Sequence, residues 1–532
     1  MILSLLLLLQ APLAGRADPD SILPQHTALH HDLTIILPDT GRHILGVLTT
    51  TWLLRSDKGL ELELDSVFRV VRVLTDGKGE NRLARAEYAL LQGGGVYIPH
   101  AKGAGDTLHT TVRYHGDVRN GLIIRTDSAG RRTIFADNWP DRAHDWIPLY
   151  DHPSAKATVT LHVEAPDGMT VVATGVLQDI DTLVRGRKFW HFEQAERIPP
   201  YGIVIGAGQL ATTPVAAVAC DLRCVPQAVV TFPEDSAAAV NGPFHRVGDM
   251  VDFFSHYIGP FPYARLSHVQ STTMFGGMEN PTAIFYDATA IATGKLSEET
   301  VAHETAHQWF GDAVTEADWH HLWLSEGFAT YFSALWLSHA EGDSAFRRTM
   351  RSGAERVFTS PATERPILDL TTNDLMGLLN TNNYPKGAWV LHSLRGLIGD
   401  SAFQAGIRAY YQRYRDSTAL SSDFAGIMAG AAGQDLSWYF SQALTQPGYP
   451  KLAVTWQFAA GQLTIAIRQT QSMAWGSYRI PNLAVRVDGT PVQVDVAGPE
   501  TVVRVRRQRA PKSVVVDPDG WWLLQATVEK AR

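Results

Sequence analysis

The sequence predicts a multidomain α+β protein, with β-rich regions at both ends of the chain and a mostly helical region between them. Its 532 residues are too many for one hydrophobic core, so two to four domains are expected. Apolar and polar residues alternate with period two near both ends, as in half-buried strands, whereas the middle has the longer apolar spacing of helices. With 45% hydrophobic and 19% charged residues, the composition is that of a globular protein.

The alternating pattern predicts the N-terminal domain. Leu60, Leu62 and Leu64 alternate with glutamates, and a similar alternation recurs at 159–163. Such runs are typical of strands with one buried face. We therefore expect an N-terminal β domain over residues 18–211.

The remaining chain divides into two further expected domains. The helical pattern predicts a mostly helical domain over residues 212–445. Alternation returns at 463–467 and on both sides of Asp488-Gly489, a dipeptide typical of a tight hairpin turn. This predicts a C-terminal β-sandwich over residues 446–532.

The beginning of the chain predicts a secretory signal peptide over residues 1–17. This stretch is apolar but far shorter than a membrane span. Small residues at Gly15 and Ala17 suit cleavage before Asp18. The alternative is an apolar N-terminal arm. We therefore expect a secreted or periplasmic protein with no stable membrane span.

Net charge and cysteine content argue against a nucleic-acid-binding protein and against a cysteine-based zinc site. A net charge of −8 gives no basic surface for nucleic acid. The two cysteines, Cys220 and Cys224, could close a small disulfide loop or remain two free thiols. A cysteine-based zinc site would need more of them. The sequence does not predict an oligomeric state.

Two histidines one helical turn apart, His303 and His307, give the strongest functional signal. Residues i and i+4 share a helix face, so both imidazoles can bind one metal ion. Glu326, after eighteen intervening residues, can add a carboxylate oxygen. Two histidines and one carboxylate leave a position of a zinc ion open for water, as in catalytic sites. Glu304, beside the ligands, can take that water's proton.

The surrounding residues predict the two helices that this site needs. Ser297 can cap the first helix, and Gly311 can end it. A second apolar run, 322–337, brings Glu326 back toward the histidines. This context favours a zinc site over the alternative, a surface helix with two solvated histidines.

Several segments together resemble the aminopeptidase N family of gluzincin zinc metallopeptidases, in its bacterial branch. Segments 301–312 and 323–331 are similar to its zinc signature. The other similar segments are its exopeptidase motif, Gly276-Gly277-Met278-Glu279-Asn280, the segment of its catalytic tyrosine, 384–388, and a signature of its N-terminal domain, 138–142 with 151–153. The similarity extends from about residue 25 to the end of the chain.

The resemblance implies a fold, a cofactor and a site. The implied domains are a saddle-like N-terminal β domain, a thermolysin-like catalytic domain and a C-terminal β-sandwich, without the large helical domain that many relatives add. One zinc ion is implied on His303, His307 and Glu326, with Glu304 as general base and Tyr384 as the oxyanion donor. The implied substrates are peptides with a free N-terminus, bound by the exopeptidase motif: Gly276, Gly277, Met278, Glu279 and Asn280.

The residues of these motifs are compatible with the implied roles. The glycines before Met278 allow close backbone approach, and Glu279 can hold an α-ammonium by a charge-assisted bond. Pro385 biases Tyr384 out of the α region and suits the first position of a helix, so Tyr384 would project from the start of that helix. Its hydroxyl could then donate to an oxyanion. The alternatives are an exposed turn acid and a core tyrosine.

One departure from the family concerns substrate preference. Trp139 occupies the position at which many relatives carry a second amine-binding glutamate. Asp137 falls where relatives line the pocket for the first side chain, and a carboxylate there would favour Lys or Arg. In the alternative, Asp137 bonds local backbone and the pocket prefers apolar side chains.

The predicted function is that of a zinc-dependent aminopeptidase, with Glu304 as general base and peptides as its partners. One alternative is another hydrolase on the same zinc site, such as an epoxide hydrolase. The other is a catalytically weak peptide-binding protein.

Overall fold

The computed structural model describes residues 26–76, 83–126, 130–184, 186–215 and 224–531. The predicted signal peptide and Cys220 lie outside these ranges. Strands dominate the N-terminal part, helices the middle and strands the C-terminal part, so the predicted α+β class is confirmed. Within the described ranges, no helix combines the length and the apolar character needed to cross a bilayer.

The N-terminal part is built from strands. They are β1 (His26–Ile36), β2 (His43–Leu54), β3 (Leu60–Asp65), β4 (Arg69–Asp76), β5 (Leu83–Arg85), β6 (Ala89–Leu90), β7 (Gly94–Ile98), β8 (Thr107–Asp117), β9 (Leu122–Thr126), β10 (Arg132–Ala136), β11 (Ala157–Pro166), β12 (Thr170–Ala173), β13 (Val176–Leu183), β14 (Arg187–Ile198) and β15 (Ile205–Gly208).

These strands form three sheets, whose apolar core continues into that of the helical region. An eight-stranded sheet has the order β13-β14-β11-β1-β2-β8-β4-β5, beside a four-stranded sheet, β12-β15-β10-β9, and a three-stranded sheet, β3-β7-β6. In β3, Leu60, Leu62 and Leu64 are buried while the glutamates between them are exposed. The period-two pattern therefore identified this strand correctly.

The middle of the chain combines helices with a small sheet. Its strands are β16 (Ala211–Val215), β17 (Gln227–Thr231), β18 (Leu266–Ser271), β19 (Gly277–Met278), β20 (Ala283–Asp287), β21 (Val314–Glu316) and β22 (Ser417–Ala419). Its helices are α1 (Ser236–Asn241), α2 (Val247–Tyr257), α3 (Ala288–Ala292), α4 (Glu298–His307), α5 (Trp323–Glu341), α6 (Asp343–Thr359), α7 (Gly387–Ile398), α8 (Asp400–Tyr414), α9 (Ser421–Ala432) and α10 (Ser437–Thr445).

The position of β19 matters for the site. The five-stranded sheet has the order β16-β17-β18-β20-β19, so β19 is an edge strand with one side unpaired within the sheet. It carries Gly277 and Met278 of the exopeptidase motif and runs antiparallel to β20. An edge strand can add a further extended peptide by backbone hydrogen bonding.

Two helices form the centre of this region. The Ser297 hydroxyl accepts a hydrogen bond from the Thr300 amide, 3.1 Å away, and caps α4 as predicted. The prediction that Gly311 ends this helix is wrong, because α4 ends at His307. Gly311 instead has a φ of +123°, and a Cβ there would lie 2.9 Å from Nδ1 of His307. This glycine therefore lets the chain fold closely over the histidine.

The C-terminal part is a pair of facing sheets. Its strands are β23 (Lys451–Ala459), β24 (Gln462–Gln469), β25 (Ile480–Val487), β26 (Thr490–Val496), β27 (Glu500–Arg506), β28 (Val514–Val516) and β29 (Gln525–Lys530). The sheets β27-β24-β23-β29 and β26-β25-β28 share one separate apolar core. Asp488 and Gly489, with φ of 48° and 83°, form the predicted turn between β25 and β26.

Candidate active site

Three predicted metal ligands come together at one point. Nε2 of His303 lies 3.1 Å from Nε2 of His307, and Oε2 of Glu326 lies 3.1 Å and 3.3 Å from these two nitrogens. A tetrahedral zinc ion with bonds of about 2.0–2.1 Å needs ligand atoms about 3.3 Å apart. The three atoms therefore form one face of such a tetrahedron, and the residues fit a zinc ion with a fourth position left open.

The ring of His307 is fixed from behind. Its Nδ1 lies 3.0 Å from the Phe310 carbonyl oxygen and 3.1 Å from Oγ of Ser325. Because the carbonyl can only accept, Nδ1 carries the proton and Nε2 keeps its lone pair for a metal. Such an outer hydrogen bond fixes the tautomer and the orientation of a ligating histidine.

A close helix crossing brings the predicted catalytic tyrosine to the ligands. A Cβ on Gly327 would lie 2.9 Å from the backbone of Gly387, so only glycine lets α5 and the start of α7 approach this closely. Tyr384 lies three residues before Gly387. Its ring stacks on His303, with centroids 5.9 Å apart and planes 5° apart. Tyr384 and Glu326 thus face the same metal position.

The local conformation of Tyr384 differs from the prediction. Instead of preceding a helix in an extended conformation, it lies inside a π-helical turn, Asn382–Lys386, that leads directly into α7. The Lys386 amide donates to the Thr381 carbonyl five residues earlier, at 2.9 Å. The turn accommodates Pro385 because the wider i→i+5 bonding does not need the bond that proline lacks.

Glu304 lies against the edge strand. A Cβ on Gly277 would lie 2.2 Å from Oε1 and 2.4 Å from Cδ of Glu304, so the carboxylate occupies the space that the missing side chain leaves. At Gly276 a Cβ would meet nothing within 4 Å. The close approach expected of both glycines is therefore required only at Gly277.

Gln308, the residue after the second histidine, connects α4 to the exopeptidase motif. Its Nε2 donates to the Glu279 carbonyl at 2.6 Å and to Oδ2 of Asp312 at 2.7 Å. Its Oε1 accepts from the Thr282 amide at 3.0 Å. Gln308 therefore fixes the backbone that directly follows the Glu279 side chain relative to the histidines.

The carboxyl groups of the site are buried, and burial controls their acidity. Burial raises the pKa of Glu304 well above its ordinary value, which His307 opposes and Glu279 reinforces. Burial also raises the pKa of Glu279, to about 7. Glu326 is the exception, because the two histidines beside it outweigh burial and hold its pKa low. The site thus favours positive charge between the ligands, and a divalent cation there would favour the ionised carboxylates.

The ligands and acids line one cleft of about 220 Å³. Its lining consists of Trp139, Phe275, Gly276, Gly277, Met278, Glu279, His303, Glu304, His307, Glu326, Leu379 and Tyr384. The structure therefore brings nearly all the predicted site residues together. Asn280 is an exception, since it is buried and does not line the cleft.

Asp137 also lies outside the lining of the cleft. Its side chain is buried, Oδ1 accepts from Nη2 of Arg142 at 2.6 Å, and Oδ2 accepts from the Met274 amide at 3.1 Å. As in the alternative, Asp137 bonds backbone, but the amide is that of Met274, far along the chain, and not one of the local backbone. Its charge is paired with Arg142, so it offers no free carboxylate for a basic side chain.

Sequence reasoning missed several supporting residues. Phe275 and Leu379 form apolar walls, and Lys156 donates from the N-terminal part to three carbonyls, those of Asp312, Ala313 and Ser417, at 2.8, 2.9 and 3.2 Å. Phe275 directly precedes the glycines of the exopeptidase motif, which is a usable signal. Leu379 and Lys156 have no comparable signal, since both come close to their partners only in the folded chain.

Comparisons with known proteins agree with this geometry. Residues 244–442 match the family model described as the Peptidase family M1 domain, and residues 96–201 match the Peptidase M1 N-terminal domain. Together the two models span more than half of the chain.

Relatives with similar sequences are named aminopeptidases. "Probable aminopeptidase 1" of Saccharolobus solfataricus is 26% identical over 74% of this chain and 50% of its own length. "Probable aminopeptidase 2" of Sulfurisphaera tokodaii is 30% identical over 59% of this chain and 41% of its own length. "Aminopeptidase N" of Streptomyces lividans is 28% identical over 66% of this chain and 45% of its own length. The chain spans about half the length of these curated relatives, or less.

A solved structure shares the fold. The M1 zinc metallopeptidase from Deinococcus radiodurans superimposes with a TM-score of 0.70 at 24% identity, over 80% of this chain and 95% of that one. A mutant of that protein, crystallised with a Tyr-Ser-Ala substrate, gives a TM-score of 0.69. With both family models matched in order and the predicted ligands assembled in one cleft, this chain belongs to peptidase family M1.

Proposed function

We propose that this chain is a zinc-dependent aminopeptidase, which hydrolyses the first peptide bond of peptides with a free N-terminus. One observation carries the proposal: three atoms spaced for zinc, a general base and a second buried carboxylate share one cleft beside an unpaired strand edge. The names of the relatives and the peptide bound to the mutant Deinococcus radiodurans protein support it.

The chemistry of the bond-breaking step divides between a cofactor and the chain. His303, His307 and Glu326 would hold the zinc ion, which when bound supplies electrophilic polarisation of a carbonyl and activation of water. Glu304 is placed to accept a proton on its carboxylate from water in the cleft. It then returns the proton to the leaving amine, the usual double role of such a base.

Glu279 makes the proposed enzyme an exopeptidase. It is buried in the cleft at the end of edge strand β19, and its backbone is fixed by Gln308. A substrate added to β19 as an extended strand would place its α-ammonium at this carboxylate. A buried carboxylate is stabilised only when the opposite charge is also present. A substrate with a blocked N-terminus carries no ammonium and therefore loses this contact.

Tyr384 supplies the second electrostatic contribution. Burial and the neighbouring Glu326 charge raise the pKa of its hydroxyl well above the ordinary value, so it stays protonated. The hydroxyl can therefore donate a hydrogen bond to the negative charge that develops on the substrate carbonyl oxygen.

The walls of the cleft indicate the preferred N-terminal side chain. Trp139 packs edge-to-face on Phe275, with centroids 6.0 Å apart, and Met278 and Leu379 add apolar surface. Because Asp137 is paired with Arg142, we propose a preference for large apolar or aromatic side chains over lysine and arginine.

The test is a panel of fluorogenic aminoacyl amides, with and without chelator. Purified protein should contain one zinc ion per chain in the cleft, lose activity on chelation and regain it with zinc. Leucyl and phenylalanyl amides should be cleaved faster than arginyl amides. Full turnover in metal-free protein, or equal turnover of free and N-acetylated substrates, would reject the proposal.

Two variants test the amine contact and the side-chain pocket separately. Glu279→Ala should lower kcat/KM for free N-termini far more than for N-acetylated substrates. Asp137→Asn should leave the ratio of arginyl to leucyl kcat/KM unchanged. A ratio that moves in the second variant would return Asp137 to the substrate pocket.

A secreted or periplasmic location is a further proposal, supported by the apolar stretch and small residues within 1–17. N-terminal sequencing of protein recovered outside the cytoplasm should then begin at Asp18. Recovery of the intact N-terminus in the cytoplasm alone would contradict it.

A further inference from the structure

A second cluster of possible metal ligands lies on the outer face of the eight-stranded sheet. Asp179 and Asp181 lie two residues apart on edge strand β13, so both side chains point to the same face. His191 of β14 is the direct cross-strand partner of Asp179. One oxygen of each aspartate and one nitrogen of His191 all lie within 4.8 Å of one another.

The spacing within this cluster resembles that of the cleft. Nε2 of His191 lies 3.5 Å from Oδ1 of Asp179 and 3.4 Å from Oδ2 of Asp181. These distances match the ligand separation of about 3.3 Å around a tetrahedral zinc ion. Nε2 of His191 is buried and makes no hydrogen bond to any residue in the described ranges. A buried nitrogen that faces two carboxylates but makes no hydrogen bond to them is a position that a cation would satisfy.

The opposite side of the His191 ring is held by a chain of contacts. Its Nδ1 lies 2.7 Å from Nδ1 of His162 on β11, and Nε2 of His162 lies 3.4 Å from Oδ1 of Asp32 on β1. A metal-binding histidine commonly has its other nitrogen bonded in this way, ultimately to a carboxylate. The ring also packs edge-on against Phe189, with centroids 4.7 Å apart. His191 is therefore oriented before any ion arrives, which lowers the entropic cost of binding.

We propose that Asp179, Asp181 and His191 form a second site for a divalent transition-metal ion such as Zn²⁺, with water completing the coordination. One imidazole and two carboxylates suit this class of ion, whereas an all-oxygen set would suit Ca²⁺ or Mg²⁺. The ion would join edge strand β13 to β14. The inference is independent of the proposed peptidase function, because no residue of the cleft takes part.

A second histidine pair on the same sheet provides a matched control. Nδ1 of His115 lies 3.1 Å from Nε2 of His43, whose Nδ1 is paired with Asp117 at 2.8 Å. Both nitrogens of His43 are thus engaged, and no group of three ligand atoms forms there among the described residues. Replacing His115 removes a half-buried imidazole of the sheet without touching the proposed site.

The first experiment counts bound ions. The full chain, with its purification tag removed and its metal stripped by chelator, is dialysed against micromolar Zn²⁺ and its zinc content is measured. We expect two ions per chain in the wild type and in His115→Asn, and one in His191→Asn and in Asp179→Asn. One ion in the wild type, or equal zinc contents in His191→Asn and His115→Asn, would overturn the proposal.

The second experiment locates the ion. Zn²⁺ should slow amide hydrogen exchange in β13, an edge strand exposed along most of its length, relative to the metal-free protein. This slowing should vanish in His191→Asn and persist in a His307→Asn variant, which lacks a ligand of the cleft. His162→Asn, which removes only the orienting contact, should weaken Zn²⁺ binding at the outer site about tenfold. Zinc-dependent slowing of β13 that survives His191→Asn would contradict the assignment.

Discussion

Substitution of Gly277 by alanine tests how the edge strand positions Glu304, the proposed general base. The new Cβ would lie 2.2 Å from Oε1, 2.4 Å from Cδ and 2.7 Å from Cγ of Glu304. Non-bonded carbon and oxygen atoms do not approach this closely, so the carboxylate must withdraw by about 1 Å. No positive φ is required of Gly277, so the backbone itself accepts alanine.

The expected effect is on the rate of the chemical step. A misplacement of about 1 Å in a catalytic group costs about 10²-fold in rate, equivalent to about 2.7 kcal/mol of barrier. The three ligand atoms are not touched, so the zinc content should stay at one ion per chain in the cleft. We therefore expect kcat to fall about 10²-fold while KM changes little.

The assay is steady-state hydrolysis of leucyl amide, with metal analysis and thermal unfolding of the same preparations. Gly276→Ala is the matched control, because its Cβ meets nothing within 4 Å, and it should keep kcat within about threefold of the wild type. If Gly277→Ala turned over as fast as Gly276→Ala, the contact with Glu304 would not position the base. Loss of zinc from Gly277→Ala would show that the ligands, and not the base, had moved.

Three further predictions address the base, the oxyanion donor and acid stability. Glu304→Gln should keep its zinc yet lose activity by about 10²- to 10⁴-fold, and a zinc-free variant would contradict the assigned role. Tyr384→Phe should lower kcat by about 10²- to 10³-fold with little change in KM, and near-normal turnover would make Tyr384 a packing residue. Burial lowers the pKa of His31 in the folded protein to about 3, whereas its ordinary value is near 6.5. Between pH 6.5 and 3 the unfolded chain therefore binds more protons than the folded one. The free energy of unfolding falls as the pH drops through this range. His31→Asn can keep the bond to Thr50 Oγ1. Between pH 7 and 4.5, its free energy of unfolding, measured with denaturant, should fall by about 2–3 kcal/mol less than that of the wild type. The same pH dependence in His31→Asn as in the wild type would refute this.

The sequence by itself determined the elements and the chemistry that depend on local spacing. The i, i+4 histidines of α4 share a face in any helix, the Ser297 cap needs only the next turn, and Asp488-Gly489 specifies its hairpin turn through backbone conformation alone. Each of these features is decided within a few residues. The two histidines proposed as metal ligands could therefore be identified without the fold.

Only the tertiary structure decided which partner each polar group has. Asp137 lies near the right position in sequence for a substrate pocket, yet it pairs with Arg142 and a backbone amide from another part of the chain. The π-helical turn at Tyr384 packs beside the close contact between Gly327 and Gly387, which are sixty residues apart. The proposed outer metal site likewise depends on strand register, which places His191 opposite Asp179 and beside His162. Register and packing follow from long-range burial and steric fit, which no local pattern encodes.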